Sequence, residues 1–237
     1  GRCATRSGEF SYDYGAPFFT VSDSRFAQEV SRLEATEVVK RWDCRVGELT
    51  EQRTKEIVGV ERYVGTPTMR NIPAFLSRDL AVLQSCEISK LEKCAYGWRL
   101  INSDGAEVGD YSAVIFAMPP EQARKLLPSE SAIFPQMASS GSHACWTLMV
   151  SFTQPLSLDF DILNVSHSPI ERMIKQTRKP TEDTAQSWVI QSSAKWAETR
   201  LKYDSDRVVS ALLAALYTVI GKELPNNAHT RAHRWGV

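Results

Sequence analysis

An excess of charge, a long apolar run and a paired-cysteine pattern are all missing from this 237-residue sequence. Its 28 Lys and Arg residues offset 28 Asp and Glu, and neither sign gathers into a run. The electrostatic footprint of a nucleic-acid or anionic-membrane partner is therefore absent. The longest strongly apolar stretches, such as SALLAALYTVI at 210–220, are too short to span a bilayer and read as a buried helix face, so no membrane insertion is expected. Five cysteines (Cys3, Cys44, Cys86, Cys94, Cys145) are odd in number and form no C-x-x-C pair. They fit reduced thiols in a reducing intracellular compartment, cytoplasm or plastid stroma, better than a disulfide framework. His143, His167, His229 and His233 lack metal-ligand spacing, and no Ser-His-Asp or Cys-His arrangement can be assembled, so no metal is expected. Nor does a strand or glycine-rich turn precede the opening GRCATR, although Gly1, Arg2 and Arg6 look like the middle of a phosphate-binding loop.

What is present suffices for a core. With 43% apolar residues, the chain can fill one large domain or two small ones. Phe26, Val30, Leu33, Val38 and Trp42 predict a helix from Ser22 to Trp42 behind Ser22 or Asp23 as N-cap. Strands are expected at 43–49 and 56–65. A second helix begins near Thr66 with Pro67 in its first turn, carrying Met69, Ile72, Phe75, Leu76 and Leu80 on one side. Residues 81–111 read as a β-meander around the Asp104-Gly105 turn signal. The uniformly apolar SAVIFAM, 112–118, reads as a central strand covered on both faces, followed at Pro119-Pro120 by the helix PEQARKLL. Strand-length pieces at 143–156, 161–167, 171–179 and 187–193 suggest one antiparallel sheet, capped by a helix over 205–220 that ends at Gly221. The closing HTRAHRWGV reads as one more strand.

Several residues invite a chemical reading beside a plain one. A pyrophosphate needs close backbone N–H groups, which glycine permits, and a forked cation, which arginine provides. Gly1, Arg2 and Arg6 meet that need, yet also read as an exposed basic terminus. Gly15-Ala16 lets backbone lie flat against a ring, or marks an ordinary strand turn. Trp146 sits on a sheet strand, where a core role competes with substrate contact. Glu182-Asp183 lies in a polar turn and reads as a solvated face.

Taken in order, these segments resemble the renalase-like branch of the FAD-dependent amine oxidase superfamily over nearly the whole chain. The family's Gly-Gly-Arg element with a further arginine is matched by Gly1, Arg2 and Arg6. Its Asp-x-Gly-Ala-x-x-Phe-Thr segment beside the flavin is matched by Asp13, Gly15, Ala16, Phe18, Phe19 and Thr20, with Pro17 where Gln is usual. YVGTPTM at 63–69, AVIFAMPPEQARKLL at 113–127, CWTLMVSF at 145–152, Lys179-Pro180 and HRWGV at 233–237 resemble further family stretches in the family's order.

The resemblance implies an α/β fold, with a partial FAD-binding Rossmann-like domain (1–20 and 65–127) interleaved with an α+β substrate domain built on an antiparallel sheet (21–64 and 128–237). It implies FAD as cofactor, held by Gly1, Arg2, Arg6, Gly15, Ala16, Phe18, Ile88 and Pro119. Phe19 and Trp146 would touch a small-molecule substrate, and Arg234 and Trp235 would stand at the flavin as catalytic residues. The implied activity moves a hydride from a small donor, such as a dihydronicotinamide or an amine, to flavin and then to O2. The family's G-x-G-x-x-G turn before Gly1 and its Gly-Asp segment after Val237 have no counterpart, so the chain is expected to be the middle of a longer oxidoreductase, inactive and without FAD by itself. The competing reading is a non-catalytic binding module, or a subunit of a larger assembly.

Overall fold

The computed structural model describes all residues except 52, 129–130, 177–185 and 237, so the expected Lys179-Pro180 match and the Glu182-Asp183 turn lie outside the described residues. The chain forms two compact units, one of Gly1–Arg78 with Ala144–Gly236, the other of Asp79–His143.

In chain order the first unit opens with β1 (Thr5–Arg6), β2 (Tyr12–Asp13), α1 (Ser24–Ala35), β3 (Val39–Arg41), β4 (Val46–Leu49), β5 (Thr54–Ile57), β6 (Tyr63–Gly65) and α2 (Asn71–Leu76). The second unit holds β7 (Ile88–Cys94), β8 (Gly97–Asn102), β9 (Glu107–Tyr111), α3 (Pro120–Leu126) and α4 (Phe134–Ala138). The first unit then resumes with β10 (Cys145–Phe152), β11 (Ile162–Val165), β12 (Ile170–Lys175), β13 (Gln186–Ser192), α5 (Ala194–Glu198), α6 (Ser205–Ile220) and β14 (Asn227–Trp235).

Seven of these strands form one sheet in the order β14-β10-β13-β12-β11-β4-β5, antiparallel at every step except the parallel β11/β4 pair. The expected antiparallel sheet is thus present, within a mixed α/β fold. Central β10 reads CWTLMVSF and is buried on both sides, as such an unbroken apolar run demands. Alternation sends Trp146, Leu148, Val150 and Phe152 into one core and Met149 into another. The first core is closed by α6, whose Val208, Leu212 and Leu216 recur every fourth residue on one face with no exposed surface. Each such burial contributes about 1.5–3 kcal/mol. That helix begins where Asp204 accepts from the Arg207 amide at 2.8 Å and ends at Gly221, φ +67°, as its sequence predicts. The opposite sheet face is covered by Tyr12 with Phe10, Tyr14 and Phe18.

Three local expectations are corrected. The helix expected over Ser22–Trp42 spans only Ser24–Ala35, because its apolar stripe of Val30 and Leu33 meets polar Thr36 and Glu37 at the next turn. Glu37 turns left-handed at φ +60°, and Val39–Arg41 instead pairs with Tyr63–Gly65. The single strand expected over 56–65 is two, Thr54–Ile57 and Tyr63–Gly65, interrupted at Gly59 with φ +84°. The second helix starts at Asn71 rather than Thr66, with Pro67 in the turn ahead of it, and Leu80 falls outside it at 67% exposure.

The second unit carries the predicted meander. β7, β8 and β9 pair antiparallel, and the Asn102 side chain accepts from the Asp104 and Ala106 amides at 3.1 and 2.8 Å, closing the turn at Gly105, φ +81°. The expected central strand at 112–118 is not a strand. It has no ladder partner among the described residues, and Ile115 is 92% exposed. Uniform apolarity states a need for cover, but a strand also needs a neighbour to satisfy its backbone groups. None of the five cysteines forms a disulfide, and no helix among the described residues is long and apolar enough to cross a membrane.

Candidate functional site

The first unit's N-terminal residues lie against the sheet face opposite α6, and local hydrogen bonds fix them there. The β1/β2 pair is tied by buried Asp13, whose Oδ1 accepts from Thr5 Oγ1 at 2.6 Å and from the Met69 amide at 3.0 Å. The Asp13 amide donates to Gln176 Oε1 at 2.9 Å. Tyr12, Ser151 and Ser187 form a buried hydroxyl chain with both links at 2.6 Å, and burial pushes the Tyr12 hydroxyl pKa up. Gln191 Nε2 donates to the Gly15 carbonyl at 3.1 Å, and the Ala16 amide to the Arg2 carbonyl at 2.6 Å. A Cβ at Gly15 would stand 2.0 Å from the Arg2 carbonyl oxygen, so this close approach of backbone to backbone explains the glycine without any ligand.

Aromatic and basic side chains converge above this platform. The Trp235 indole N–H donates to the Tyr14 carbonyl at 3.2 Å, and the two rings stack at 5.4 Å. The His233 ring stands 4.5 Å from Trp235 and 4.9 Å from Tyr14, edge-on to both. The Arg2 guanidinium lies 4.8 Å over Trp235, and that of Arg6 lies 6.0 Å over Tyr14. Burial, and then the charges of Arg6, Arg231 and Arg2, lower the His233 pKa. Arg6 Nε is buried without a hydrogen-bond partner among the described residues. Beside it opens a cavity of about 290 Å³ lined by Arg6, Glu9, Tyr12, His229 and Arg231. A group of this composition is suited to hold an anion carried by a planar ring.

The positions expected from the sequence separate under this geometry. Arg2, Arg6, Gly15, Ala16 and Trp235 come together. Gly1 is exposed, and an added Cβ there would meet nothing within 4 Å. Phe18 packs at the edge of the same sheet face, 6.1 Å from Trp42 and beneath the Arg62 and Arg172 guanidinium groups at 5.9 and 5.8 Å. Phe19 bridges the Tyr63 backbone, stacks on the Tyr63 ring and meets Phe26 at a tilt, in the cluster around α1. Trp146 is 4% exposed in the α6-side core, its indole N–H bonded to the Arg200 carbonyl at 3.1 Å. Arg234 pairs with Trp146 in register and donates to the Leu201 carbonyl, so it faces the side of the sheet opposite Trp235. Ile88, opening β7, and Pro119, ahead of α3, belong to the second unit.

Sequence reading missed Tyr14, His229, Arg231 and His233. Their signal was present: His229, Arg231, His233 and Trp235 are spaced by two, which in a strand puts all four on one face.

The fold places the chain among mixed α/β architectures with multi-stranded sheets, similar to those of amine oxidases. No family model matches the chain. Among solved structures, a putrescine oxidase variant redesigned in its cofactor binding has a TM-score of 0.67 at 11% identity, over 98% of this chain and 76% of that one. A protein of Exiguobacterium sp. 255-15 provisionally named a protoporphyrinogen oxidase gives 0.59 at 14% identity, over 73% of this chain and 40% of that one. Cyclohexylamine oxidase from Brevibacterium oxydans IH-35A gives 0.55 at 14%, over 72% of this chain and 38% of that one. The chain therefore spans well under half the length of two of these structures and about three quarters of the third.

Proposed function

We propose that this chain is part of an FAD-dependent oxidoreductase of the amine oxidase and renalase-like kind, acting on a small electron-rich donor such as an amine or a dihydronicotinamide and passing electrons to O2. The single observation that carries the reading is the buried, unpartnered Nε of Arg6 within the cluster of Arg2, Arg231 and His233, on a fold shared with amine oxidases. A buried cationic donor without a partner is costly, and an oxyanion relieves that cost. FAD, when bound, supplies the acceptor for the donor's electron pair. The chain's own residues have narrower tasks. Arg2 and Arg6 hold an anionic portion of the cofactor, Gly15-Ala16 keeps their backbone close, and the Trp235 and Tyr14 rings exclude water from one side. His233, kept neutral by its surroundings, can accept a hydrogen bond at ordinary pH.

An absorbance scan tests the proposal. The chain extended by a preceding G-x-G-x-x-G strand-turn-helix and a following Gly-Asp segment is expected to purify yellow, and residues 1–237 alone colourless. A colourless extended protein would remove FAD from the reading, and a yellow 1–237 would show that those added segments are not needed to hold it. Arg6→Ala in the extended protein is expected to release flavin on dialysis. The second reading, a binding module without FAD, is favoured by one observation, the uncovered apolar run around Ile115.

A further inference from the structure

On the other side of the sheet, away from the Trp235 cluster, a cavity of about 600 Å³ lies beside α5. His167, Ser168, Ser193, Lys195, Trp196, Thr199 and Arg200 supply its polar and aromatic walls, and no carboxylate lines it among the described residues. Arg200 is the fixed point. Its guanidinium rests 4.8 Å over the Trp196 ring, and its Nη1 donates to the Trp196 carbonyl at 3.3 Å and to Thr199 Oγ1 at 2.7 Å. Its carbonyl accepts from the Trp146 indole, tying the segment to the core. Nε and Nη2 carry no hydrogen bond among the described residues, so one edge of a pre-oriented fork stays available.

The facing loop is anchored as well. The Ser166 amide donates to the Leu49 carbonyl at 3.0 Å and the Ile170 amide to Ser168 Oγ at 3.1 Å. Between these ties His167 holds a left-handed backbone at φ +56°, a conformation uncommon outside glycine. His167 also lines an adjoining cavity of about 390 Å³, together with Glu51 and Arg53.

A fixed guanidinium, a lysine, an imidazole and three hydroxyls around one recess, without a carboxylate among the described residues, match the oxygens of a doubly charged anion. The volume exceeds what an inorganic anion fills, and Val165, Pro169 and the Trp196 indole offer an apolar wall for an organic group. We propose that this cavity binds a phosphate monoester bearing a planar or apolar organic portion. The site is independent of the cofactor reading and needs no flavin.

Titration calorimetry on the 237-residue chain tests it with phenyl phosphate, inorganic phosphate and benzoate as probes. Phenyl phosphate is expected to bind saturably, more tightly than inorganic phosphate and less tightly as salt rises. Removing or blunting one charged donor should weaken it about tenfold or more in both Lys195→Ala and Arg200→Lys, the latter keeping charge but losing the fork. Lys195 is exposed, so its variant should keep the parent melting temperature while losing affinity. Tighter binding of benzoate than of phenyl phosphate would overturn the phosphate assignment. Absence of saturable heat with every probe, or affinities unchanged in both variants, would overturn the site.

Discussion

Leu148, Met149, Val150, Leu212 and Leu216 in the seven-stranded unit have no exposed surface, whereas in unit 79–143 Ala123 alone among the described apolar residues is buried so fully. There Leu80, Leu83 and Ile115 are 64–92% exposed. Both units contain strongly apolar runs, CWTLMVSF and SAVIFAM, and similar local propensity does not give them similar structure. The first run has a strand on each side, β13 and β14, and a layer over each face. The second has neither within the described residues. Local pattern proposes a strand, and hydrogen-bonded neighbours with facing layers decide whether it forms.

The contrast can be broken by substitution. The largest expected effect is in the sheet unit: Leu212→Ala should cost about 2–5 kcal/mol through lost burial and a cavity, read from urea unfolding followed at tryptophan. A smaller loss would mean that α6 can collapse onto the sheet. Tyr12→Phe should cost about 1–3 kcal/mol by leaving Ser151 and Ser187 short of a partner, measured in the same way. At Gly15→Ala the new Cβ meets the Arg2 carbonyl, and about 1–3 kcal/mol should be lost as the N-terminal segment shifts, with a change in Trp235 emission. Unchanged emission would mean that the segment adapts without moving Trp235.

A pH effect follows in size. His233 has a depressed pKa when folded, so its contribution to stability is complete above the ordinary imidazole value and lost as pH falls through the folded one. Melting temperatures of His233→Gln should therefore fall less between neutral and mildly acidic pH than those of the parent. Equal slopes would show that neither burial nor the charges of Arg6, Arg231 and Arg2 depress it. Smallest of all, Ile115→Ser should change stability by no more than about 0.5 kcal/mol, because nothing packs on an exposed side chain. A large loss would show that the run is covered in solution, and would erase the contrast between the units.

How much was legible depended on whether the deciding partner was near in sequence. The bounds of α6 follow from Asp204, Gly221 and a four-residue apolar rhythm, all local. The meander follows from Asn102, Asp104 and Gly105. The stop of α1 was also written there, in the polar residues at the next helical turn, although the later Val38 and Trp42 obscure it. In the Trp235 cluster, Arg2, Arg6 and Trp235 had been singled out by the resemblance, but grouping Arg234 with Trp235 ignored strand alternation. The assembly of Tyr14, His233 and Arg231 required knowing that residues 12–16 cross the sheet at β13 and β14, which no local pattern states.

By itself the sequence determined the element types wherever a cap, a turn residue or a short period specifies them, and it determined the balance of 28 basic against 28 acidic residues. Tertiary structure alone decided which apolar runs became strands, which face each side chain of β14 took, and that Gly15 answers to Arg2. The reason is range: caps and turns are satisfied within about four residues, whereas a ladder, a two-sided core and a cluster of repelling cations depend on segments tens to more than two hundred positions apart.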